Sequence, residues 1–317
     1  MNIWEELTPP FFVLAPMDDV TDTVFRQVVA DCAAPDLFFT EFVNVDALQS
    51  QGREATLRRL RFTQKERPLI AQVWGLNPEN FKRSAADIAA MGFDGLDLNF
   101  GCPVKDVVQN GACSALINNR QLAGEIIQAC REGAPTLPLS VKTRLGFNEV
   151  DLTWHEFLLR HKLNALTIHG RTRKEMSKVP ADWDMIGKVA ALRPALSPAT
   201  KIIGNGDVLS RAQGEQLAKQ HGVDGIMVGR GIFQDPFLFA KNSPWEEYSK
   251  EQKIQLYQNH VELFAKTWAD SAHAPRVHTL NKFCKVYING FDGAKELREK
   301  LMAAQSTDEL LTQLKNT

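Results

Sequence analysis

Apolar and polar positions alternate in blocks along the chain as far as residue 231. Eight short and nearly continuous apolar runs end in polar residues, at 11–17, 36–43, 69–75, 95–101, 139–146, 165–171, 201–207 and 225–231. Strands that are buried on both faces of a parallel sheet show this pattern. The segments between the runs predict helices, such as Pro78–Gly92, which has proline in its first turn and glycine at its end.

Repeated strand–helix units of this kind predict a (β/α)8 TIM barrel, although a doubly wound sheet would show the same alternation. The pattern changes after residue 231. Helical periodicity without a clear strand then occupies 251–270, 277–289, 294–304 and 307–314. We therefore predict a barrel domain over 1–243 and a C-terminal all-α helical domain over 244–317.

Composition narrows the class of protein. The chain has 317 residues, of which 44% are hydrophobic and 24% charged, with a net charge of −1, so a disordered chain and a strongly basic nucleic-acid coat are both excluded. No run approaches the ~18 apolar residues of a membrane helix, and the N-terminus does not resemble a secretory signal. Five cysteines, without a CxxC pair, argue against a disulfide framework or a zinc site. We expect a cytoplasmic, monomeric protein that binds no metal.

Functional side chains of a barrel lie at the C-terminal ends of its strands. Two glycine-containing loops follow the last two predicted strands, with the residues Asn205, Gly206, Asp207, Gly229 and Arg230. Glycine lets backbone N–H groups approach an anion closely, and barrels commonly bind phosphate at these two loops. The alternative is that these glycines only form tight turns.

Three further side chains are candidates for holding a ring. Lys142 is a poor choice for a buried barrel strand, but its ammonium would stabilise a ring that takes up negative charge, as a flavin does. Gln72 lies in the third predicted strand and would face the same site. His169, at the end of the sixth, would support the ring or a phosphate, although a lone histidine is more often structural.

Cys102 is the sharpest candidate for chemistry. It lies between Gly101 and Pro103, just after the fourth predicted strand, where we expect an exposed thiol. A free thiol has a pKa of about 8.5 and is mostly protonated at neutral pH, which suits a general acid; a nucleophile is the alternative. Cys113 is a rival in the same loop, but its neighbours indicate the start of a helix.

Taken together, these segments resemble the tRNA-dihydrouridine synthase family. The resemblance covers nearly the whole chain. It rests on the order and spacing of Ala15-Pro16-Met17, Thr40-Glu41-Phe42, Ala71-Gln72-Val73, Asp97-Leu98-Asn99-Phe100-Gly101-Cys102-Pro103, Ser140-Val141-Lys142-Thr143-Arg144-Leu145-Gly146, Ile168-His169-Gly170-Arg171-Thr172, Gly204-Asn205-Gly206-Asp207 and Val228-Gly229-Arg230-Gly231.

The resemblance implies an FMN-dependent barrel enzyme that reduces the C5–C6 double bond of tRNA uridines, with NADPH as reductant. It implies flavin contacts at Pro16, Met17, Asp18, Gln72, Lys142 and His169, and a phosphate cradle at Asn205, Gly206, Asp207, Gly229 and Arg230. It also implies a proton donor at Cys102, and flavin- and uracil-facing groups at Asn99 and Arg144. The sequence departs from the family pattern where Gln109 replaces a lysine and Cys113 a glycine.

A tRNA substrate requires basic surface. In the predicted C-terminal helical domain, 244–317, which we call the tail, Lys282 and Lys285 share a helical face with His278. Arg171 begins a separate basic cluster with Arg173, Lys174 and Lys178. A second cluster, Arg53, Arg58, Arg59 and Arg61, follows the second predicted strand. Charge runs are usually solvated surface, but the resemblance favours Arg171, Lys282 and Lys285 as tRNA contacts. Two other functions stay open, namely another FMN barrel such as a dihydroorotate dehydrogenase, and a non-catalytic RNA-binding protein.

Overall fold

Eight parallel strands form the centre of the molecule. The structure is a computed structural model, which describes residues 2–317. The strands are β1 (Phe11–Leu14), β2 (Phe38–Asn44), β3 (Leu69–Trp74), β4 (Gly95–Phe100), β5 (Leu139–Arg144), β6 (Ala165–His169), β7 (Lys201–Asn205) and β8 (Gly225–Val228). Each of the eight predicted runs overlaps one of them; β2 ends one residue beyond its run, and the other seven runs continue past the strand end into a loop. Those extra residues leave the sheet and become available for a site.

The sheet curls until its first and last members meet. The strand order is β1-β8-β7-β6-β5-β4-β3-β2, with every neighbouring pair parallel. A parallel bridge between Val13 and Leu37 joins β1 to β2, and the Leu14 N–H donates to the Leu37 carbonyl at 3.3 Å. The barrel prediction is therefore confirmed, and the doubly wound alternative is wrong.

Helices surround the barrel. In the barrel part of the chain they are Ile3–Glu6, Thr23–Ala33, Val45–Leu48, Arg53–Leu57, Pro78–Ala90, Lys105–Gln109, Arg120–Gly133, Leu152–Arg160, Trp183–Leu196 and Arg211–His221. The helix Thr23–Ala33 begins at Thr23 because the Asp22 carboxylate accepts the Phe25 N–H at 2.8 Å and so caps the first turn. Short 3-10 helices lie at Arg58–Leu60, Gln64–Glu66, Cys113–Asn118 and Arg230–Phe233.

The N-terminal end of the barrel is closed by apolar packing. The short helix Ile3–Glu6 places Trp4 against the first strands, with ring centroids 6.2 Å from Phe11 and 6.4 Å from Phe39. These rings belong to a buried cluster that also contains Ile70 and Met227. Because this end is filled, access to the barrel is at the C-terminal ends of the strands.

The tail is entirely helical, as the sequence predicts. Its α-helices are Lys250–Trp268, Asn281–Tyr287, Ala294–Met302 and Thr307–Lys315, with 3-10 turns at Trp245–Glu247 and Val277–Leu280. Phe283 stacks on Phe25 of the barrel with centroids 4.8 Å apart, so the tail and the barrel share buried apolar contacts. Among residues 2–317, no helix combines the length and the apolar character that crossing a bilayer requires.

Candidate active site

A cavity of about 680 Å³ opens at the C-terminal ends of the strands. This volume falls within the range of about 300–1,000 Å³ that is usual for small-molecule sites. The structure places these residues from the sequence prediction in its wall: Pro16, Met17, Lys142, Arg144, His169, Arg171, Asn205, Gly206, Asp207, Gly229 and Arg230. They come from widely separated segments and meet here because all the strands are parallel.

Basic side chains dominate one side of the cavity. Of the described residues in its wall, Asp207 is the one carboxylate, against Lys142, Arg144, His169, Arg171 and Arg230. Asp207 accepts a hydrogen bond from the Arg171 guanidinium and lies 3.5 Å from Arg230. Against the opposing effect of burial, the hydrogen bonds from Arg171 and the Ala181 N–H, with the charge of Arg230, hold the pKa of Asp207 low. The excess of positive charge fits an anionic ligand.

Arg171 does not lie where the sequence-based assignment put it. The residue is only 3% exposed, and its guanidinium also contacts the His169 Nε2 atom at 3.1 Å. Lys174 and Lys178, from the same predicted basic cluster, are exposed. Arg171 is therefore part of the cavity wall and not of the outer basic surface, because the loop after β6 folds back over β7.

His169 and Gly206 complete the basic side of the cavity. Burial, reinforced by the charge of Lys142, holds the pKa of His169 far below its ordinary value, so the imidazole is neutral. Gly206 has a φ of +136°, and a Cβ there would lie 2.5 Å from the Ala181 Cβ. A side chain at Gly206 is thus excluded both by backbone conformation and by space, which leaves backbone groups facing the cavity.

Lys142 and Arg144 project from β5 into the centre of the site. The Lys142 Nζ donates to the Asn205 Oδ1 at 3.2 Å, and burial lowers the pKa of Lys142 to about 8. Arg144 donates through Nε to the Gly101 carbonyl at 2.7 Å, and through Nη1 to the Met176 carbonyl at 2.9 Å. Arg144 therefore joins the loop that carries Cys102 to the loop that follows β6.

Gln72 and Asn99 lie behind the cavity wall. Gln72 is fully buried and Asn99 is 6% exposed. The Asn99 Nδ2 donates to the Gln72 Oε1 at 3.0 Å, and the Gln72 Nε2 donates to the Asp97 carboxylate at 2.7 Å. The sequence predictions overlooked Asp97, although an acidic residue inside a buried apolar run is itself a signal of a paired polar group.

Cys102 is less exposed than the sequence predicts. Only 9% of the residue is exposed, and its neighbour Pro103 lies in the cavity wall. The Ser114 hydroxyl donates to the Cys102 carbonyl at 2.8 Å, and the Cys102 N–H donates to the Asn99 Oδ1 at 2.9 Å. The expectation of an exposed thiol is wrong, because these contacts fold the loop inward.

The thiol of Cys113 lies next to that of Cys102. Burial raises the pKa of Cys113 well above its ordinary value, so this group stays protonated. A hydrogen bond from Cys113 is the largest influence on Cys102, and it lowers the pKa of the Cys102 thiol to about 7. Cys113 has a φ of +53°, a conformation that favours glycine, and it begins the 3-10 helix Cys113–Asn118, close to the predicted helix start.

Asp18 lies outside the cavity wall. Its carboxylate pairs with Arg59, which also binds Glu41 at 2.7 Å. Burial raises the pKa of Asp18 and brings that of Glu41 to about 7. The structure therefore separates Asp18 from Pro16 and Met17, with which the sequence grouped it. Arg59, from the predicted basic cluster 53–61, is occupied by these carboxylates.

Lys282 and Lys285 are both exposed on the helix Asn281–Tyr287. The Lys282 ammonium donates to the Asp19 carbonyl, in the loop that follows β1. The two lysines thus have different surroundings, although the sequence predicts the same role for them. Lys282 links the tail to a loop that leads into the cavity.

The chain matches the profile of a family described as dihydrouridine synthase (Dus) over residues 13–317. A relative named "Probable tRNA-dihydrouridine synthase 2" from Bacillus subtilis (strain 168) is 46% identical over 313 residues, covering 98% of this chain and 94% of the relative. A "Probable tRNA-dihydrouridine synthase" from Staphylococcus aureus (strain COL) is 46% identical over 311 residues, covering 97% and 93%.

Solved structures with low sequence identity share the fold. Morphinone reductase superposes with a TM-score of 0.54 at 11% identity, covering 75% of this chain and 86% of that one. Histamine dehydrogenase from Rhizobium sp. 4-9 gives a TM-score of 0.54 at 14% identity, covering 80% of this chain and 48% of that one. These similarities agree with the barrel architecture described above.

Proposed function

Because this chain belongs to the dihydrouridine synthase family, we propose that it is a tRNA-dihydrouridine synthase, which reduces the C5–C6 double bond of specific tRNA uridines. FMN would be its bound cofactor and NADPH its reductant, and the protein would act as a cytoplasmic monomer. The curated relatives carry the tRNA-dihydrouridine synthase name over nearly their whole length. The observation that carries the proposal is the cationic cavity with Cys102 directly behind its wall.

The cavity has the features that FMN requires. Arg171, Arg230 and the backbone at Gly206 would hold the phosphate, since guanidinium and N–H groups are strong partners for it. Pro16 and Met17 would provide an apolar surface for the ring, and Lys142 a positive charge close to it. Bound there, the flavin would supply the hydride for uracil C6 from its N5 position.

Cys102 would supply the second hydrogen, as a proton to uracil C5. A general acid works best when its pKa lies near the operating pH, and the pKa of Cys102 is about 7. Cys113, Arg144 and the backbone of Val104 would stabilise the thiolate that remains after transfer. The thiol can then be reprotonated from solvent before the next turnover.

Arg144 would stabilise the negative charge that develops on uracil during hydride addition. Its guanidinium lines the cavity and is fixed by the backbone carbonyls of Gly101 and Met176. A donor that is already fixed needs little reorganisation as charge appears. Asn99 would act mainly on the Cys102 loop, because its carbonyl oxygen already accepts two backbone N–H groups.

The tRNA would dock across the cavity mouth and the tail. Lys285 and Lys282 are the tail residues we assign to phosphate contacts, whereas we now assign Arg171 to the cofactor phosphate. The target uridine must leave any stack to enter the cavity, which costs a few kcal/mol in a duplex and less in a loop.

The experiment is mass-spectrometric mapping of tRNA from cells that lack the gene. We expect dihydrouridine to disappear at particular positions and to return with the natural gene but not with the Cys102→Ala variant. An unchanged dihydrouridine map would contradict the proposal. In parallel, NADPH oxidation by the purified protein should depend on tRNA; dependence on orotate would favour the dihydroorotate dehydrogenase class.

A further inference from the structure

A chain of hydrogen bonds runs from the Cys102 loop into the centre of the barrel. The backbone N–H groups of Gly101 and Cys102 donate to the Asn99 Oδ1 at 3.1 Å and 2.9 Å. The Asn99 Nδ2 donates to the Gln72 Oε1 at 3.0 Å, and the Gln72 Nε2 donates to the Asp97 Oδ2 at 2.7 Å. Every link therefore donates in the same direction, away from the loop.

The direction of this chain is fixed by chemistry at both ends. A backbone N–H can only donate, so Asn99 must present its oxygen to the loop and its NH2 group to Gln72. Gln72 must then present its oxygen to Asn99 and its NH2 group to the next residue. The chain consequently has to end at an acceptor, and Asp97 supplies one.

Water cannot replace a missing member. Gln72, Asp97 and Ser140 are fully buried, and Asn99 is 6% exposed. The second oxygen of Asp97 accepts the Ser140 hydroxyl at 2.6 Å, so the carboxylate is held on both sides. A buried polar network that is fully satisfied fixes one arrangement of its members, and here one of the members is the loop of the proposed proton donor.

We infer that Asp97 is a positioning residue for Cys102, and that it acts through Gln72 and Asn99 without touching the thiol. The inference rests on the proposed function only for the role of Cys102; the hydrogen-bond chain itself is independent of tRNA and of any cofactor. Asp97 lies two residues before Asn99, on the same side of β4, and Gln72 of β3 bridges the two side chains.

Exchanging the side chains of Asn99 and Asp97 provides a direct test. Asn99→Asp still offers an acceptor to the loop, but its other oxygen would face the Gln72 oxygen. Gln72 would have to turn its amide, and its oxygen would then face the Asp97 carboxylate. Adding Asp97→Asn removes that conflict, because the new amide can donate to the turned Gln72. The double variant therefore has a consistent chain in which both hydrogen bonds of the Gln72 side chain are reversed.

The readout is hydrogen exchange of the Cys102 amide in the full chain as purified, labelled with [15N]cysteine. The five cysteines give five backbone signals, and those of Cys130 and Cys284 in helices serve as internal references. We expect Asn99→Asp to accelerate Cys102 exchange by about tenfold or more, and the double variant to return within about threefold of the natural chain.

The matched control is Asn99→Asp with Asp94→Asn. Asp94 precedes β4 at the closed end of the barrel, where it binds Arg67 and the Leu69 N–H at 2.8 Å. Asp94→Asn makes the same change of charge as Asp97→Asn, but Asp94 is not part of the hydrogen-bond chain. This control should therefore not restore protection of the Cys102 amide.

Three results would overturn the inference: unchanged Cys102 exchange in Asn99→Asp, no recovery in the double variant, or equal recovery with Asp94→Asn. Asn99→Asp alone can fail to give a folded protein. In that case the inference is supported if Asp97→Asn restores folding and Asp94→Asn does not, and any other pattern contradicts the inference. Reduction of tRNA is measured separately on the natural protein. Failure of the proposed function is therefore distinguished from failure of the inference about the hydrogen-bond chain.

Discussion

The two sides of the cavity use polar groups in opposite ways. The cationic side, at the ends of β5 to β8, consists of Lys142, Arg144, His169, Arg171 and Arg230, all of which line the open space. The amide side, at the ends of β3 and β4, consists of Gln72, Asp97, Asn99 and the Cys102 loop, whose side chains bond mainly to one another. One side is arranged to bind a ligand, and the other to hold a reactive group.

This difference follows from charge and burial. On the cationic side a single carboxylate, Asp207, faces an excess of positive side chains, so binding an anion would relieve their mutual repulsion. On the amide side each polar atom already has a partner within the protein, and Gln72 and Asp97 are fully buried. Substitutions of the phosphate-holding residues Arg171 and Arg230 should therefore affect binding, and those on the amide side the chemical step.

The largest expected effect is on the amide side. Cys102→Ala should leave a folded, flavin-binding protein that reduces tRNA about 10²- to 10⁴-fold more slowly, because a general acid contributes that much to a proton transfer. The measurement is flavin reoxidation by tRNA in a single turnover, after reduction by NADPH.

Two controls accompany the Cys102 measurement. Reduction of the flavin by NADPH should be unchanged in Cys102→Ala, since that step uses no proton from the thiol. Alanine at Cys284, a buried tail residue, should leave reoxidation close to that of the natural chain. Reoxidation of Cys102→Ala at the natural rate would remove the residue from its assigned role.

The next effect is on the cationic side. Arg171→Met should raise the dissociation constant of FMN by about 10- to 100-fold, because the charged hydrogen bond from the guanidinium to the FMN phosphate is lost. The Asp207 carboxylate also loses its guanidinium partner. Fluorescence titration with FMN measures it. Lys174→Met is the matched control in the same loop, where the side chain is exposed, and equal affinities of the two variants would contradict the assignment.

The tail should show a smaller effect. Lys282→Glu combined with Lys285→Glu should weaken tRNA binding by about tenfold and reduce its salt dependence, while bound FMN stays intact. Gel-shift titration at several salt concentrations tests this. The single variants should differ, because Lys282 also holds the Asp19 carbonyl, and unchanged affinity of the double variant would contradict a tRNA contact here.

The smallest effect concerns the neighbouring thiol. Cys113→Ala removes the hydrogen bond that lowers the pKa of Cys102 to about 7, so the midpoint of Cys102 alkylation should rise towards the free-thiol value of about 8.5. At pH 7 alkylation should slow about threefold or more. Peptide-resolved alkylation across pH 6 to 10 measures it; an unmoved midpoint would show that Cys113 does not act on Cys102.

The sequence predicted the cationic side better than the amide side. Asn205, Gly206 and Arg230 could be assigned because residues at the ends of parallel strands must meet, whatever the detail of their packing. The strands and the helical tail followed from periodicity for the same reason. Arg171 was misplaced, because the return of its loop over β7 depends on contacts with Asp207 and the Val179 carbonyl that no local pattern encodes.

The amide side depends on the direction of individual hydrogen bonds. Gln72 and Asn99 could be predicted as site residues, but their mutual contact and the contact with Asp97 require the register that sets Gln72 beside Asp97. The burial of Cys102 likewise depends on Ser114, twelve positions away in the chain. Pairing across strands and loops of this kind is tertiary information.

The most direct test of the central claim uses tRNA from cells that lack the gene. It is incubated with the purified protein and NADPH, and its nucleosides are analysed by mass spectrometry. We expect dihydrouridine to return at the positions lost in the deletion strain, only with NADPH, and far more slowly with Cys102→Ala. A flavin-loaded natural protein that leaves those uridines unreduced would contradict it.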